Sequence, residues 1–578
     1  MEKQKTFFGH PMGLSTLFFT EMWERFSYYG MRAILLYYMY YSVQDGGLGM
    51  DKTTAASVMA IYGSLVFLSS VVGGFVSDRI LGSRKTVFYG GILIMLGHIA
   101  LATPFGQVAL YLSIALIIFG TGFLKPNISD MVGGIYEKED DRRDAGFSIF
   151  VFGINLGAFV APYLVGYLGQ EVNFHLGFSL AAIGMFFGLV KYVLDGKKYL
   201  PESSLYPTDP LSQKEQQTLI KRLLITLVMV ILVIIGLVFT HQFNVDMIVN
   251  IFTVIAVIIP IYYFFKILSS QKITATERSR VFAYIPLFIA GVLFWSIEEQ
   301  GSVVLALFAD DQTRLYFNVF GNQIHFPSSF FQSINPLFIM IYVPIFAWLW
   351  GKMGKKQPSS SKKFAYGLLA AGLSFLWMML PGMLFGTDVK VSPFWLIMSW
   401  AIVIVGEMLI SPIGLSVTNK LAPKSFQAQM MSIWFLSNAA AQAINAQIVK
   451  FYTSETEVAY YGIVGGITIV FGIILLFYVP RIEKLMSGIK SRKTGISVGI
   501  LKVRSIIYSK DLVLYCVGLG PFSLINTLRK SLQTASTSPC RTQVQPAASF
   551  LVCSLIFIEY KTHDVSAFPS GHLSTFFI

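Results

Sequence analysis

Cysteine is scarce in this 578-residue chain, and the three present (Cys516, Cys540 and Cys553) all lie near the C-terminal end. No disulfide framework and no Cys-based metal site can be built in the long stretch before them. Charge is scarce too. Asp, Glu, Lys and Arg make up 13% of the residues against 54% apolar ones, roughly half the charged fraction of an ordinary soluble domain. That balance excludes a soluble fold and implies an all-α polytopic membrane protein. His10, His98, His175, His241 and His325 are scattered without ligand spacing, so neither a metal nor a cofactor is expected. A credible nucleophile–base pair is also lacking, and the chain is not expected to be an enzyme. The opening MEKQKTFFGHPMG has no small-residue cleavage site, and the first apolar run already carries Glu21, Glu24 and Arg25, so it is not read as a leader.

The net charge of +13 does not point to nucleic acid, because the basic residues are dispersed among short connections between apolar runs. Arg79, Arg84 and Lys85, then Arg142 and Arg143, then Lys191, Lys197 and Lys198 begin a series that occupies every second connection and starts from Lys3 and Lys5. The positive-inside rule then puts both bundle termini in the cytoplasm and makes the number of spans even. A multi-pass protein of the cell membrane, surrounded by lipid, is expected.

Runs long enough to span fall near 13–42, 54–77, 86–103, 107–126, 146–168 and 175–194, then 219–240 and 246–268, then 281–308, 331–351, 364–385, 393–418, 427–451 and 458–480. Six, two and six make about 14 spans. The expected organisation is a six-helix bundle over 1–195, a cytoplasmic linker over 196–217, two additional helices over 218–270 and a second six-helix bundle over 271–486. Two such sets suggest bundles with a cavity between them, as in alternating-access carriers. Residues 487–578 have a different composition and look like an appended extension. Its FPSGHLSTFF contains PSGH, one element of acid-phosphatase-type membrane enzymes, but the companion elements are missing, and a fused or frameshifted stretch fits better.

The exception to apolarity is TEMWERFSYYGMRAILLYYMYY, Thr20 to Tyr41. On a helix Glu21, Glu24, Arg25, Tyr28, Tyr29 and Arg32 form one polar stripe, which must face a wet cavity or a protein interior. A Glu–Arg pair can lower the cost of burial, but that does not account for two carboxylates and a second arginine. Lys125 closes an apolar run in FGTGFLKPN, where Pro126 also breaks the helical hydrogen-bond ladder; Glu298 and Glu299 lie in LFWSIEEQG, and Glu407 lies in IVIVGEMLIS. Opposite charges contributed by two bundles can pair in one state and part in another, which makes a gate.

These residues carry a family resemblance. E-x-x-E-R-F-S-Y-Y-G at Glu21 to Gly30 resembles the signature of the bacterial proton-dependent oligopeptide transporters, a branch of the major facilitator superfamily. GGFVSDRILGSRK (Gly73 to Lys85), FVFGINLGAF (Phe150 to Phe159), FWSIEEQG, FQSINPLF and MMSIWFLSNA are similar to further motifs in the same order, over about residues 7–486. The resemblance implies the major facilitator fold and symport of di- and tripeptides with protons, the proton being the coupling ion. It implies that Arg32 and Lys125 bind the peptide carboxylate and Glu407 its amino terminus. Asn155 and Asn335 would bond the peptide backbone, while Tyr28, Tyr29, Tyr62, Trp295 and Trp434 would line side-chain pockets. Glu21, Glu24, Arg25 and Glu299, with Arg32 and Lys125, would handle the proton and the gate. Asp78 and Arg79, close to a cytoplasmic helix end, are expected to hold neighbouring helices in the outward-open state rather than to touch a peptide.

Phe67 departs from the pattern by standing where the family has a tyrosine. The rival expectations are another major facilitator carrier (a drug antiporter or a nitrate or other anion symporter) and a nontransporting peptide sensor. A zwitterion needs both an anion and a cation site, whereas a pure anion carrier would not need Glu407, and a sensor would not need the E-x-x-E-R run. A monomer is expected. Because the bundle is complete by Arg481, a chain ending at Lys490 should insert and take up dipeptide as the full chain does; loss of folded protein in detergent would show that the tail packs on the bundle.

Overall fold

The computed structural model describes residues 6–486, apart from 138, 139, 141, 320 and 321. The extension, its cysteines, Lys3 and Lys5 lie outside the described residues. A two-residue hairpin, Thr6–Phe7 with His10–Pro11, leads into α1 (Met12–Tyr40), α2 (Lys52–Val76), α3 (Ser83–Leu101), α4 (Gly106–Gly134), α5 (Arg143–Tyr167) and α6 (Phe174–Tyr199). Next come α7 (Gln213–Phe239) and α8 (Val245–Ser269). The second half comprises α9 (Ala275–Glu298) with its continuation α10 (Val304–Asp311), then α11 (Ile334–Met353), α12 (Ser360–Phe385), α13 (Phe394–Leu421), α14 (Gln427–Ile448) and α15 (Glu457–Leu485). This is the two-bundle major facilitator arrangement with two helices between the bundles. A small antiparallel hairpin, Tyr316–Val319 with Asn322–His325, precedes α11.

Eleven of the described helical segments are long and apolar enough to cross a membrane. The three further long helices fall short for local reasons: α1 holds four charges, α3 opens on Arg84 and Lys85, and α14 holds Asn438, Gln442, Asn445 and Gln447. α7 buries none of its side chains and presents an apolar cylinder that suits lipid. α8 packs against α14 and α2, one helix from each half.

Small residues set how closely the helices approach. A Cβ on Gly73 of α2 would sit 1.8 Å from the carbonyl oxygen of Gly122 on α4, and one on Gly157 of α5 would sit 2.3 Å from that of Met22 on α1. Helix starts carry the expected chemistry, with Ser212/Glu215 and Thr274/Glu277 capping boxes opening α7 and α9. In the α4–α5 connection Arg142 bonds Asp140 at 2.7 Å and the Gly9 carbonyl at 3.0 Å, and this guanidinium holds the Asp140 carboxyl down to about 2.

Two helices show detail that run length does not give. α4 does not stop at Lys125 but runs through Pro126 to Gly134. Proline removes the donor to the Gly122 carbonyl, and beside it Asn127 donates its side-chain amide to the Phe123 carbonyl at 2.6 Å and to that of Gly73 on α2 at 3.2 Å, which ties this turn to the neighbouring helix. The run 281–308 is interrupted by a tighter turn, Glu299–Ser302, in which Gly301 lies so close under the Trp400 ring that a Cβ would be 2.0 Å from it. Glu299 therefore stands at a helix break.

The halves are joined on the side away from where α1 begins and α15 ends. Asp310 collects three hydroxyls, from Tyr40 at 2.6 Å, Tyr41 at 2.8 Å and Ser328 at 2.9 Å. Tyr37 donates to the Ala306 carbonyl, Lys52 pairs with Asp311 at 2.7 Å, Gln170 bonds both Ser328 and Ser329, and His325 meets Glu171 at 2.8 Å. Asp310→Ala should loosen this seam. With the three native cysteines replaced, a cysteine at Ala306 should then react several-fold faster with a membrane-impermeant maleimide, each lost bond to the charged carboxylate having been worth about 1.5–3 kcal/mol; an unchanged rate would mean that the seam does not depend on Asp310.

Candidate functional site

α1 delivers its stripe into the interior, as its spacing requires. Glu21 and Glu24 both pair with Arg25, the first at 3.1 Å, and all three are essentially sealed from solvent, with exposures of 1%, 0% and 1%. Three ionisable groups buried together lean on one another, since an isolated charge there would be prohibitively costly. One turn further on, Tyr28 is sandwiched between cations: the Arg25 guanidinium carbon lies 5.2 Å and the Arg32 carbon 6.0 Å from its ring centroid. Tyr29 and Tyr62 continue the aromatic wall at 5.2 and 6.4 Å from Tyr28. The Tyr62 hydroxyl has no hydrogen-bond partner among the described residues.

Arg32 crosses to the other half. Its Nη2 donates to Glu299 Oε2 at 2.7 Å, joining α1 to the break after α9 beneath the Asp310 seam. The pair is 12% and 10% exposed, buried enough to be strong and open enough to be reached. Lys125 lies within electrostatic reach of Glu21, Glu24, Arg25 and Glu299, and Glu407 within reach of Glu298 and Glu299. Glu407 is 3% exposed, and its Oε2 has no hydrogen-bond partner among the described residues. One cation-rich wall and one buried carboxylate thus converge on the interface, a pattern that fits a ligand with a negative end and a positive end.

Other expected site residues are engaged within the protein. Asn335 donates to Glu298 at 2.8 Å and Asn155 to the Val151 carbonyl one turn back at 3.0 Å. Trp434 is wedged between Gly291 of α9 and Gly414 of α13, where a Cβ would lie 3.2 and 2.1 Å from its ring, so tight packing accounts for its place. Trp295 is 7% exposed and stacks edge-on to Phe294. Asp78 and Arg79 lie apart from the site, at the end of α2. There Arg79 pairs with Asp209 of the linker and with Glu215 of α7, and backbone carbonyls 78 and 79 accept from Asp209 and Leu211. The loop motif is thus bonded to the linker that leads into α7, a partner that the motif itself does not reveal.

Phe67 acquires a purpose. The Lys125 ammonium lies 4.6 Å from its ring centroid, so the aromatic face holds the cation where a hydroxyl is missing. Sequence reasoning also passed over Tyr40, Tyr41, Asp310, Lys52, Asp311 and Gln170, the groups that shut the seam. The crowding of tyrosines at 37, 38, 40 and 41 and the Asp310–Asp311 pair were signals that something polar is met there.

Comparison with known proteins agrees with this geometry. The profile described as the POT family matches residues 84–470. Over 487 residues the chain is 52% identical to the uncharacterized transporter YclF of Bacillus subtilis, covering 84% of this chain and 97% of that one. It is 49% identical to the di-/tripeptide transporter of Lactococcus lactis subsp. lactis, with 84% and 99% covered. Among solved structures, a peptide transporter POT in complex with sulfate superposes with a TM-score of 0.81 at 55% identity over 84% of this chain and 98% of that chain. A POT family transporter in complex with 5-aminolevulinic acid gives 0.79 at 47% over 83% and 98%. A match across well over half its length, with relatives similar almost end to end, shows that the chain belongs to the POT family.

Proposed function

We propose that this membrane protein imports di- and tripeptides together with protons by alternating access. The observation that carries the reading is the Arg32–Glu299 pair, a 2.7 Å bridge between the halves flanked by Lys125 on one side and Glu407 on the other. A peptide carboxylate competes with Glu299 for Arg32 and finds Lys125 nearby, while its ammonium has Glu407 as a counter-charge. A Glu299 deprived of its cation takes a proton, so peptide and proton load together. Glu21, Glu24 and Arg25 form a second charged group along the same helix through which a proton can pass. Tyr28, Tyr29, Tyr62, Trp295 and Trp434 supply walls tolerant of varied side chains, with Asn155 and Asn335 bonding the peptide backbone. The relatives named as di-/tripeptide transporters support this substrate class.

In this reading the joined side is the outside and the structure faces the cytoplasm, with both bundle termini cytoplasmic in the plasma membrane. The chain works as a monomer in this reading, and it needs no cofactor beyond the proton.

Uptake of a labelled dipeptide into proteoliposomes should follow an inward proton gradient; accumulation that survives collapse of the gradient overturns the coupling. Glu407→Gln should weaken free peptides by about 2–5 kcal/mol and amino-terminally blocked ones much less, as competition assays would show; equal losses would make Glu407 structural. Glu299→Gln, which imitates the protonated acid, should abolish gradient-driven accumulation yet permit exchange between compartments of equal pH. Loss of both together would assign Glu299 a packing role.

A further inference from the structure

Glu299 has two carboxylate oxygens, and they face different halves. Oε2 accepts from Arg32 of α1, while Oε1 accepts from Nδ2 of Asn438 on α14 at 3.0 Å. The orientation of the Asn438 amide is set in turn: Gln442, one turn along α14, donates Nε2 to Asn438 Oδ1 at 2.6 Å, leaving Nδ2 directed at Glu299. Both are buried, at 4% and 1% exposure. Gln442 itself is seated on the opposite half. A Cβ on Gly63 of α2 would lie 1.6 Å from Gln442 Oε1, so the amide fills the space that glycine leaves. Beside it, Ser64 Oγ donates to the Ala439 carbonyl at 2.7 Å and fixes the register of α2 against α14. Gly63, Gln442, Asn438 and Glu299 therefore form an unbroken line from the interface of the halves to the carboxylate.

We propose that Asn438, held by Gln442, is a positioning residue that ties the charge state of Glu299 to closure of the α2–α14 contact. The inference rests on Glu299 being the coupling carboxylate. An N–H donated to a carboxylate favours its charged form. Asn438 supplies that donor while Gln442 sits on Gly63. When the halves part, Gln442 loses its seat, the Asn438 amide is free to turn, and Glu299 loses this donor as well as Arg32, so it takes a proton. Closure restores both donors and expels the proton. The other charged or titratable groups facing Glu299 are Arg32, Tyr28 and Tyr29 from α1, Lys125 from α4, Glu407 from α13, and Glu298 beside it, whose own carboxylate is bonded by Asn335 of α11. Among these neighbours Asn438 is the neutral donor whose direction is set by the contact between halves.

The test uses the full chain in proteoliposomes with labelled dialanine, measuring gradient-driven accumulation and equal-pH exchange from acid to alkaline pH on the same vesicles. Wild type must accumulate with the gradient; its failure refutes proton symport itself and is thereby separate from a failure of this inference. With wild type active, Asn438→Leu should keep acid-pH exchange within about two-fold and lose accumulation by at least about five-fold. The pH at which its exchange halves should move up by about one unit. Gly63→Ala, which pushes Gln442 from the other half, should shift the profile the same way, and the two substitutions together should do little more than either alone, because they break one chain of contacts. A wild-type profile and accumulation in Asn438→Leu overturns the proposal, as do fully additive effects. If Asn438→Leu does not assemble, Gln442→Met keeps the bulk and removes the donor: an upward shift supports the proposal, and an unmoved profile overturns it.

Discussion

The ion pair between Arg32 and Glu299 is the interaction on which the architecture turns. Two charges this deep in an apolar bundle are tolerated only as partners, and breaking such a pair by removing one member costs about 3–5 kcal/mol. The bond joins the two halves, and in the proposed cycle a ligand carboxylate replaces Glu299 on Arg32 while a proton neutralises the released Glu299. The same 2.7 Å contact can therefore be a structural joint and a point of entry for chemistry.

Around this pair the interior is organised by the need to satisfy polar groups away from water. Asp310 is shared by three hydroxyls from two halves, and Gln300, Ser296, Asn445 and Tyr460 form a further buried set, with Tyr460 donating to Gln300 Oε1 at 2.6 Å and Ser296 to Asn445 at 3.0 Å. Hydrogen bonds of this kind are directional, so they hold one arrangement of the halves rather than a continuum. Glycines do the complementary work: Gly63 admits Gln442, Gly301 admits Trp400, and Gly414 admits Trp434, each at distances no side chain would allow.

α8 and the linker both touch α2. α8 rests on both α14 and α2, while Arg79 ties the linker and the first turn of α7 to the end of α2. A helix pair attached at both halves must yield or slide when they rotate. Beyond its charged first turns, α7 is apolar and buries none of its side chains, which leaves it free to do so within lipid.

Composition and run length sufficed to establish a helical membrane protein of two bundles and two extra helices, because each span must satisfy its own backbone and expose apolar side chains regardless of its neighbours. The α1 stripe was equally legible, since the 3.6-residue period places Glu21, Glu24, Arg25, Tyr28 and Arg32 on one face by local geometry alone. The sequence could not say that α4 continues past Pro126, because that turn is held against α2 by Asn127, whose amide donates to the Gly73 carbonyl on the other helix. Nor could it say that Lys125 rests on Phe67 or that Asn438 orients Glu299, since those contacts join residues 58 and 139 positions apart. The sequence by itself determined which helices form and which faces are polar, as these follow from a residue and its neighbours within one turn. Only the tertiary structure decided which charge meets which, because pairing across the interface depends on how two bundles, each stable in its own packing, come to rest against one another.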